Sequence, residues 1–431
     1  RRAEDAFEGL KGKEKALDEA FGHVFRELVE GNEAGTATRR KAARSRLEAG
    51  ELEQSLLSAL IDSRLLMTSR GENDEAVVEV AHEAIFSHWP RLDRWIRAYG
   101  DALHLRRQIE QVAERWEKDD RHVKHLWPDE RVPDVAEMVN RLGLTDDDFT
   151  ESEKDFLGPF DRDVMLEEIK LSATAHERRA AIGRRLSLLG DPRPGVGLRA
   201  DGLPDIAWCK VPGGKVMLEE IDEIIHVDFF FIARYPVTWV QYEAFLKAKD
   251  GFRNLAWWKG FPYRIDKPGR QFSPYANHPA ESLCWYEAVA FCRWVSDRLD
   301  YEIKLPTEWQ WQQAATGGDP ERIYPWSGKW DNGRANTIDS ELGRTTAVGI
   351  YPHGASPVGA MDMAGNVWEF CLNEFDRPCQ VELTGEVSRV LRGGSFLDVP
   401  DDARAVFRYD IHPDSRFNYV GFRVSCESPI G

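Results

Sequence analysis

Six cysteines, Cys209, Cys284, Cys292, Cys371, Cys379 and Cys426, are the strongest nucleophiles and soft-metal ligands in the chain. None belongs to a C-x-x-C pair or a Cys/His zinc spacing, and six in 431 residues is far from a disulfide framework. Cys284 and Cys292 sit in the apolar helical pattern of WYEAVAFCRWV, the first just before it and the second within it, where cysteine serves as a small hydrophobe. His82, Glu83 and His88 carry metal-binding atoms, but a helix brings two ligands to one face at i,i+4, and His88 lies six residues after His82. Capping and packing are the expected roles of these histidines, and of His104, His122 and His125 on polar helices. Gly213-Gly214-Lys215 is followed by Val216, so the phosphate-cradling GxxxxGK[ST] pattern is absent. Asn336, Asp339, Asp362, Asn366 and Glu369 offer oxygen atoms of the kind that suit calcium. Asn366 and Glu369, three apart, could share an ion on one turn, with Asn336 as a third ligand. The competing reading is a hydrogen-bonded loop anchor without metal.

The elements that must position these groups fall into two unlike halves. Residues 1 to about 195 are rich in Glu, Arg, Leu and Ala, with Phe21, Val24, Phe25 and Leu28, then Leu56, Leu57, Leu60 and Ile61, at helical spacing. Leu65-Leu66-Met67, the turn Ser69-Arg70-Gly71 and Ala76 to Val80 read as a strand hairpin, and helices followed by a small hairpin fit a winged helix. From Pro90 to Leu189 the pattern is helical, broken at Pro128, Pro133 and Pro159, and Asp191-Pro192-Arg193-Pro194-Gly195 reads as a linker. Beyond it Trp, Phe, Tyr and Gly dominate, segments are short, and the convincing helices are Thr238–Lys249 and Trp285–Leu299. The expected class is α+β, with a winged-helix-like segment 1–95, a helical arm and linker 96–195, and an aromatic-rich domain 196–431 in which long loops pack on a small sheet.

Composition narrows the function classes. At 42% hydrophobic, 30% charged and 11% aromatic residues the chain is globular, and no run approaches the ~18 apolar residues of a membrane span. A net charge of -17 argues against general affinity for nucleic acid or anionic membrane. The cluster Arg39, Arg40, Lys41, Arg44 and Arg46 is accordingly read as a solvated or intramolecular docking face rather than a DNA-backbone contact. The opening RRAEDAFEGL has no apolar core of a signal peptide, which makes the cytoplasm the expected compartment, and the missing initiator Met suggests a piece of a longer chain.

The second half carries an ordered series: GLPDIAWCKVPGG, YPVTWVQYEAF, HPAESLCWYEAVAFCRW, KLPTEWQWQQAA, YPWSG, MDMAGNVWEF, RVLRGGSF and VGFRV, from Gly202 to Val424. In wording and order it resembles the formylglycine-generating enzyme, or sulfatase-modifying factor, superfamily, which implies a C-type-lectin-like fold with little regular structure. Oxidase members place two copper-binding cysteines just after the GGS motif, because thiolate is the soft ligand that suits Cu(I). Here that stretch, Phe396 to Arg404, has none, so a non-catalytic role is expected. The resemblance also implies calcium as a candidate at Asn336, Asn366 and Glu369. In the first half, LLSALIDSRLLMTSRGE and EVAHEAIFSHWPRLDRWI resemble the segment after the ATPase core of bacterial STAND signalling proteins, where a winged helix precedes a helical arm. An ATPase would then lie upstream in the parent chain.

The stretch RVLRGGSFLDVPDDARAVFRYDIHPDSRFNYVGFRV holds a framework of Gly393, Gly394, Pro400, Arg404, Arg408, Pro413, Arg416, Gly421 and Arg423. Between its members stand Leu397, Asp398, Val399, Phe407, Tyr409, Asp410, Ile411, His412, Ser415, Phe417, Asn418 and Tyr419. Non-catalytic relatives have runs of Asn there, and the pattern resembles the variable proteins of diversity-generating retroelements. Their adenine-specific mutagenesis turns Asn codons into NNC or NNT, which cannot encode Met, Trp, Gln, Lys or Glu, and none of these twelve positions holds one. Aromatic groups crowded on an irregular loop suit a paratope, since rigid rings give contact area at low entropic cost. These positions are therefore the expected binding surface, for a protein or other macromolecular ligand, with the framework arginines turned inward toward groups such as Asp362 or Glu369. The alternative is a fixed ligand site, or an enzyme of the same superfamily with a cysteine-free metal site.

Overall fold

The computed structural model describes the chain except residues 1, 11–13, 32–36, 72–74, 123–124, 126, 128–130, 159–161, 219–220, 222–223, 263–264, 384 and 430–431. Its contacts divide it into two units, Arg1–Gly158 and Pro159–Gly431.

In the first unit the helices Glu14–Leu28 and Glu51–Asp62 turn their apolar stripes inward, burying Phe21, Val24, Phe25, Leu28, Leu56, Leu57 and Leu60. The strands Leu66–Arg70 and Ala76–Val80 pair antiparallel from Leu66↔Val80 to Arg70↔Ala76, and Ala42–Ala43 adds a third strand beside the second. A 29-residue helix, Pro90–Lys118, follows, with Pro90 in its first turn where no backbone donor is needed. Pro133 starts the helix Val132–Leu142 rather than breaking one, for the same reason. Pro128 and Pro159, also expected as breaks, lie outside the described residues.

The unit boundary at Gly158 differs from the expected boundary at residue 195. Helices Arg162–Glu168 and His176–Leu189, with Ile169 just after the first, bury Met165, Ile169, Ile182 and Leu186 together. The second then locks onto the aromatic-rich residues: Arg179 donates to the Ile350 carbonyl at 2.8 Å, and Asn277 Nδ2 donates to the Gly183 carbonyl at 2.9 Å. Asp191–Gly195 is thus a fixed connection, with Asp191 tied to Arg193 Nη2 at 2.6 Å and Asn277 Nδ2 at 2.8 Å. Pro and Gly end the helical pattern there without ending the packing.

The rest of the second unit is built on short strands. Its four-stranded sheet runs in the order Tyr409–Ile411, Arg389–Arg392, Trp368–Glu374, Val420–Phe422, with only the last pair parallel. A three-stranded sheet joins Ser425–Cys426, Phe230–Ala233 and Trp208–Val211. Helix Trp285–Leu299 forms as expected, and Trp239–Lys247 starts one residue inside the expected range because Thr238 is its N-cap. A further helix, Glu308–Thr316, is opened by a Thr307–Gln310 capping box. The core is aromatic: Trp285 and Trp311 are fully buried, and Trp285 Nε1 donates to the Cys371 carbonyl at 2.9 Å. In the GNVWE motif Gly365 has φ +77° and packs against the Asn336 backbone so closely that a Cβ would lie 2.3 Å from its carbonyl oxygen.

Candidate functional site

Beneath the expected surface, three framework arginines end on buried carboxylates. Arg408 donates from Nε to Glu308 Oε2 at 2.7 Å and from Nη2 to Oε1 at 3.0 Å. Arg416 Nε donates to Glu287 Oε2 at 2.8 Å, and Arg423 grips both Glu369 oxygens at 2.6 Å. All three glutamates are fully buried, so these charge-assisted bonds, forked at Arg408 and Arg423 and single at Arg416, replace their lost hydration. Of the partners named from sequence, Glu369 takes Arg423, while Glu308 and Glu287 hold the other two. Both stand at the N-terminal turn of a helix, where a buried acid in an apolar stretch was the available signal. Arg404 behaves differently: its Nε donates to the Asp401 carbonyl at 3.0 Å, and its guanidinium lies 5.7 Å from the Phe407 ring centroid.

Above this layer is a cavity of about 300 Å³ lined by Trp368, Ser395, Leu397, Asp398, Asp402, Phe407, Tyr409 and Tyr419. Five of the twelve sequence-selected residues are therefore brought together in one concavity. Trp368 forms part of its wall, with its ring 5.5 Å from Tyr409 and 6.0 Å from Phe407, while Phe417 stacks on Tyr419 at 5.0 Å. Tyr409 (49%), Leu397 (48%), Val399 (48%) and Phe417 (42%) are well exposed for apolar groups. Asp410 and His412 are exposed; Ser415 and Asn418 are half-buried. Asp398 Oδ2 accepts from the Ser395 backbone N–H at 2.9 Å and from the Ser395 hydroxyl, which fixes its carboxylate at the cavity. Trp368, Ser395 and Asp402 are not among the expected residues; Ser395 lies two residues before Leu397 and Asp402 three after Val399, whereas Trp368 comes from the distant strand Trp368–Glu374.

One of the twelve is misplaced. Ile411 is 8% exposed and belongs to the main apolar core, because the edge strand Tyr409–Ile411 turns its last residue inward opposite Arg389.

The calcium expectation does not fit the oxygens present. Both Glu369 oxygens are taken by Arg423, and Oε2 also accepts from Trp311 Nε1 at 2.7 Å. Asn366 Oδ1 accepts from the Thr346 N–H at 2.9 Å and Asn336 Nδ2 at 3.2 Å, while Asn336 Oδ1 accepts from the Ser340 hydroxyl at 2.8 Å. Asn336 and Asn366 are a loop anchor, and Glu369 is half of an ion pair. Among the described residues no group of three or more His, Cys, Asp or Glu side chains could hold a metal ion. Asp362 is buried too and accepts from the Gly349 N–H at 2.6 Å; burial pushes its carboxyl up to about 6.

No cysteine lines the cavity. Cys209, Cys284, Cys292, Cys371 and Cys426 are buried, and burial raises their thiols, Cys426 to about 12, so they stay protonated at neutral pH. In the first unit His82 and His88 are exposed, and His88 Nδ1 lies 2.9 Å from the Ala84 carbonyl of its own helix. The basic cluster is matched by acids: Arg40 with Glu110 at 3.2 Å, Arg44 with Glu48 at 2.7 Å, and Arg39 and Lys41 both with Glu79 within 3.9 Å. Among the described residues no helix is long and apolar enough to cross a membrane.

Short strands, a few capped helices and long packed loops around an aromatic core define a C-type-lectin-like fold. Residues 206–427 match the sulfatase-modifying factor enzyme 1-like domain, and the chain belongs to that family. Residues 1–124 match the novel STAND NTPase 1 family. An inactive C-alpha-formylglycine-generating enzyme 2 from Bos taurus is 30% identical over 203 residues, 43% of this chain and 63% of that protein. A hercynine oxygenase from Mycolicibacterium thermoresistibile is 30% identical over 241 residues, 47% of this chain and 52% of that protein. The chain thus spans under two thirds of the curated relatives it matches, whose names include an inactive protein and an enzyme. Among solved structures, Treponema denticola variable protein 1 aligns with a TM-score of 0.41 at 20% identity, covering 52% of this chain and 96% of that one.

Proposed function

We propose that this chain is the ligand-recognition part of a STAND-type signalling protein, with its binding surface on the residues between Leu397 and Tyr419, Ile411 excepted. The observation that carries the reading is the division of labour in that stretch. Framework arginines 408, 416 and 423 are spent on buried glutamates, while Leu397, Asp398, Phe407, Tyr409 and Tyr419 converge on one cavity. A rigid scaffold carrying exposed aromatic groups is the physical recipe for a paratope. Among the described residues no cysteine and no group of three or more His, Cys, Asp or Glu side chains that could hold a metal competes for the same space. In this reading residues 1–95 form the winged helix and 96–158 the helical arm, while the sensor includes the docked helices Arg162–Glu168 and His176–Leu189 together with 196–431. An ATPase of the parent chain is released to oligomerise in the cytoplasm when a protein or other macromolecular ligand favours one state of the sensor. The surface is diversified by a retroelement, and a reverse-transcriptase gene with an Asn-rich template copy beside the gene is the expected genetic signature.

The test is a paired measurement on Tyr409→Ser with Phe417→Ser. Both rings are exposed, so the melting temperature should hold while capture of the wild-type partner falls at least about tenfold, as for loss of an aromatic hot spot. Unfolding of the variant would show that these rings belong to the core. Stoichiometric copper or iron with oxygen uptake by the purified protein would replace the reading with an enzymatic one.

A further inference from the structure

We infer that the cavity takes an organic cation, an ammonium or guanidinium group at the end of a small molecule or a side chain. The inference rests on the reading of this surface as a ligand site and adds the chemistry of what enters it. Trp368, Phe407, Tyr409 and Tyr419 supply four aromatic rings around about 300 Å³, the low end of the range for ligand sites and enough for one side-chain head or a small amine. Aromatic faces carry negative potential and attract cations held within about 6 Å, guanidinium and quaternary ammonium groups above all. The sign of the cavity is set by its acids. Asp398 and Asp402 both line it, and Asp401 adjoins it against the single guanidinium of Arg404. The nearby arginines Arg408 and Arg392 are drawn away to Glu308, at 2.7 and 3.8 Å. Burial first, then the charges of Asp398 and Asp401, raise the Asp402 carboxyl; burial first, then Tyr409 and Asp398, raise the Tyr419 hydroxyl. A metal ion would need converging ligands, and among the described residues no three His, Cys, Asp or Glu side chains come together to hold one. Rings flanked by carboxylates that do not converge suit a large, weakly hydrated cation instead. Phe407 already carries one such group on its ring, the Arg404 guanidinium at 5.7 Å.

The experiment titrates the full chain with tetramethylammonium, choline and butylguanidinium, with 3,3-dimethylbutanol, the neutral isostere of choline, and with butanesulfonate, following tryptophan fluorescence and heat. A cation should bind saturably and at least about tenfold more tightly than the neutral isostere, with no binding of the sulfonate. Asp398→Asn with Asp402→Asn should weaken the cation at least about tenfold at an unchanged melting temperature, because asparagine keeps an acceptor for Ser395. If that variant unfolds, Tyr409→Leu, at an exposed ring, gives the same reading. A peptide bearing lysine or trimethyllysine that binds far more tightly than tetramethylammonium identifies the source as a protein side chain; equal binding identifies a small molecule. The inference is overturned if no cation saturates the site, if the isostere or the sulfonate binds as well, or if the charge-neutral variant binds like wild type. Loss of partner capture in the Tyr409→Ser, Phe417→Ser protein alongside absent cation binding would overturn this inference alone and leave the binding surface standing.

Discussion

The three arginine–glutamate pairs under the binding surface should differ in worth, in an order set by burial and by the partners left behind. Glu369→Gln leaves the Arg423 guanidinium fully buried without a counter-charge, its remaining acceptors being one glutamine oxygen and, at 2.8 to 3.3 Å, the carbonyls of Ala233, Arg234 and Met361. The glutamine NH2 must also face a donor. The cost should be about 4–5 kcal/mol, the upper part of the range for breaking a buried pair. Arg408→Ala strands Glu308, but Asn373 Nδ2 still donates to it at 2.8 Å and Arg392 stays 3.8 Å away, so about 3 kcal/mol is expected. Arg416→Ala should cost least, about 1–2 kcal/mol, because its side chain is 29% exposed and Glu287 keeps the Cys284 N–H at 2.8 Å while water fills the gap. Denaturant unfolding of the three variants gives the order directly. Calorimetry should show the first melting lowest, at about 2–4 °C per kcal/mol for a unit of this size. Equal costs, or Arg416→Ala as the worst, would mean that charge count rather than desolvation governs the pairs, and the buried-framework argument would fail.

Trp368→Ala should cost about 3–5 kcal/mol, since the ring is 3% exposed, and an unchanged melting temperature would contradict its place in the core. Gly365→Ala should lower stability by about 2 kcal/mol or more, because a positive φ and a Cβ 2.3 Å from the Asn336 carbonyl both oppose it; a neutral result in urea unfolding would contradict that contact. Burial pushes the Glu281 carboxyl up to about 7 from an ordinary 4.5, so its ionisation opposes folding, and the stability it grants in acid is lost as pH rises through about 7. Glu281→Gln, which keeps an acceptor for the Phe272 and Ser273 N–H groups, should therefore gain on wild type by about 3 kcal/mol between pH 4.5 and 8, read from unfolding curves at each pH; a flat difference would refute it.

Fold class, helix positions and the two halves were legible because they rest on local signals: the 3.6-residue stripe at Phe21 to Leu28, the hairpin at Leu66 to Val80, and the apolar run at Trp285. What escaped depends on packing across distance. The helix Glu308–Thr316 hid because nearly all of it is buried, so no polar face marks its period; only the Thr307–Gln310 capping box announces it. Strand Trp368–Glu374 is buried on both faces and shows no alternation either. Ile411 reads as surface from sequence because a three-residue edge strand is too short to display a period. The place of residues 159–195 is hidden in the sequence because Pro and Gly report where a helix stops, while only the contacts of Arg179 and Gly183 report where it docks. The oxygen ligands were read from type alone, and a carboxylate such as Glu369 suits Arg423 as well as it suits calcium.

The same distinction explains how this stretch can tolerate change. A residue whose worth is a buried charge pair cannot be altered without stranding its partner, and Arg408, Arg416 and Arg423 are each bound to a glutamate on a distant segment. A residue that ends in solvent, such as Leu397, Val399, Tyr409 or Phe417, has no such partner to strand, and surface substitutions of that kind usually move stability by less than about 0.5 kcal/mol. Alternating the two along one stretch separates folding from recognition at single-residue resolution. Phe407 and Tyr419, half-buried against the core while lining the cavity, sit between the classes. Exchange there should be restricted to residues that keep apolar volume, whereas Tyr409 and Phe417 should accept polar ones. A saturation library scored separately for folding and for ligand capture would reveal this, and uniform tolerance at all four positions would remove the basis for dividing framework from surface.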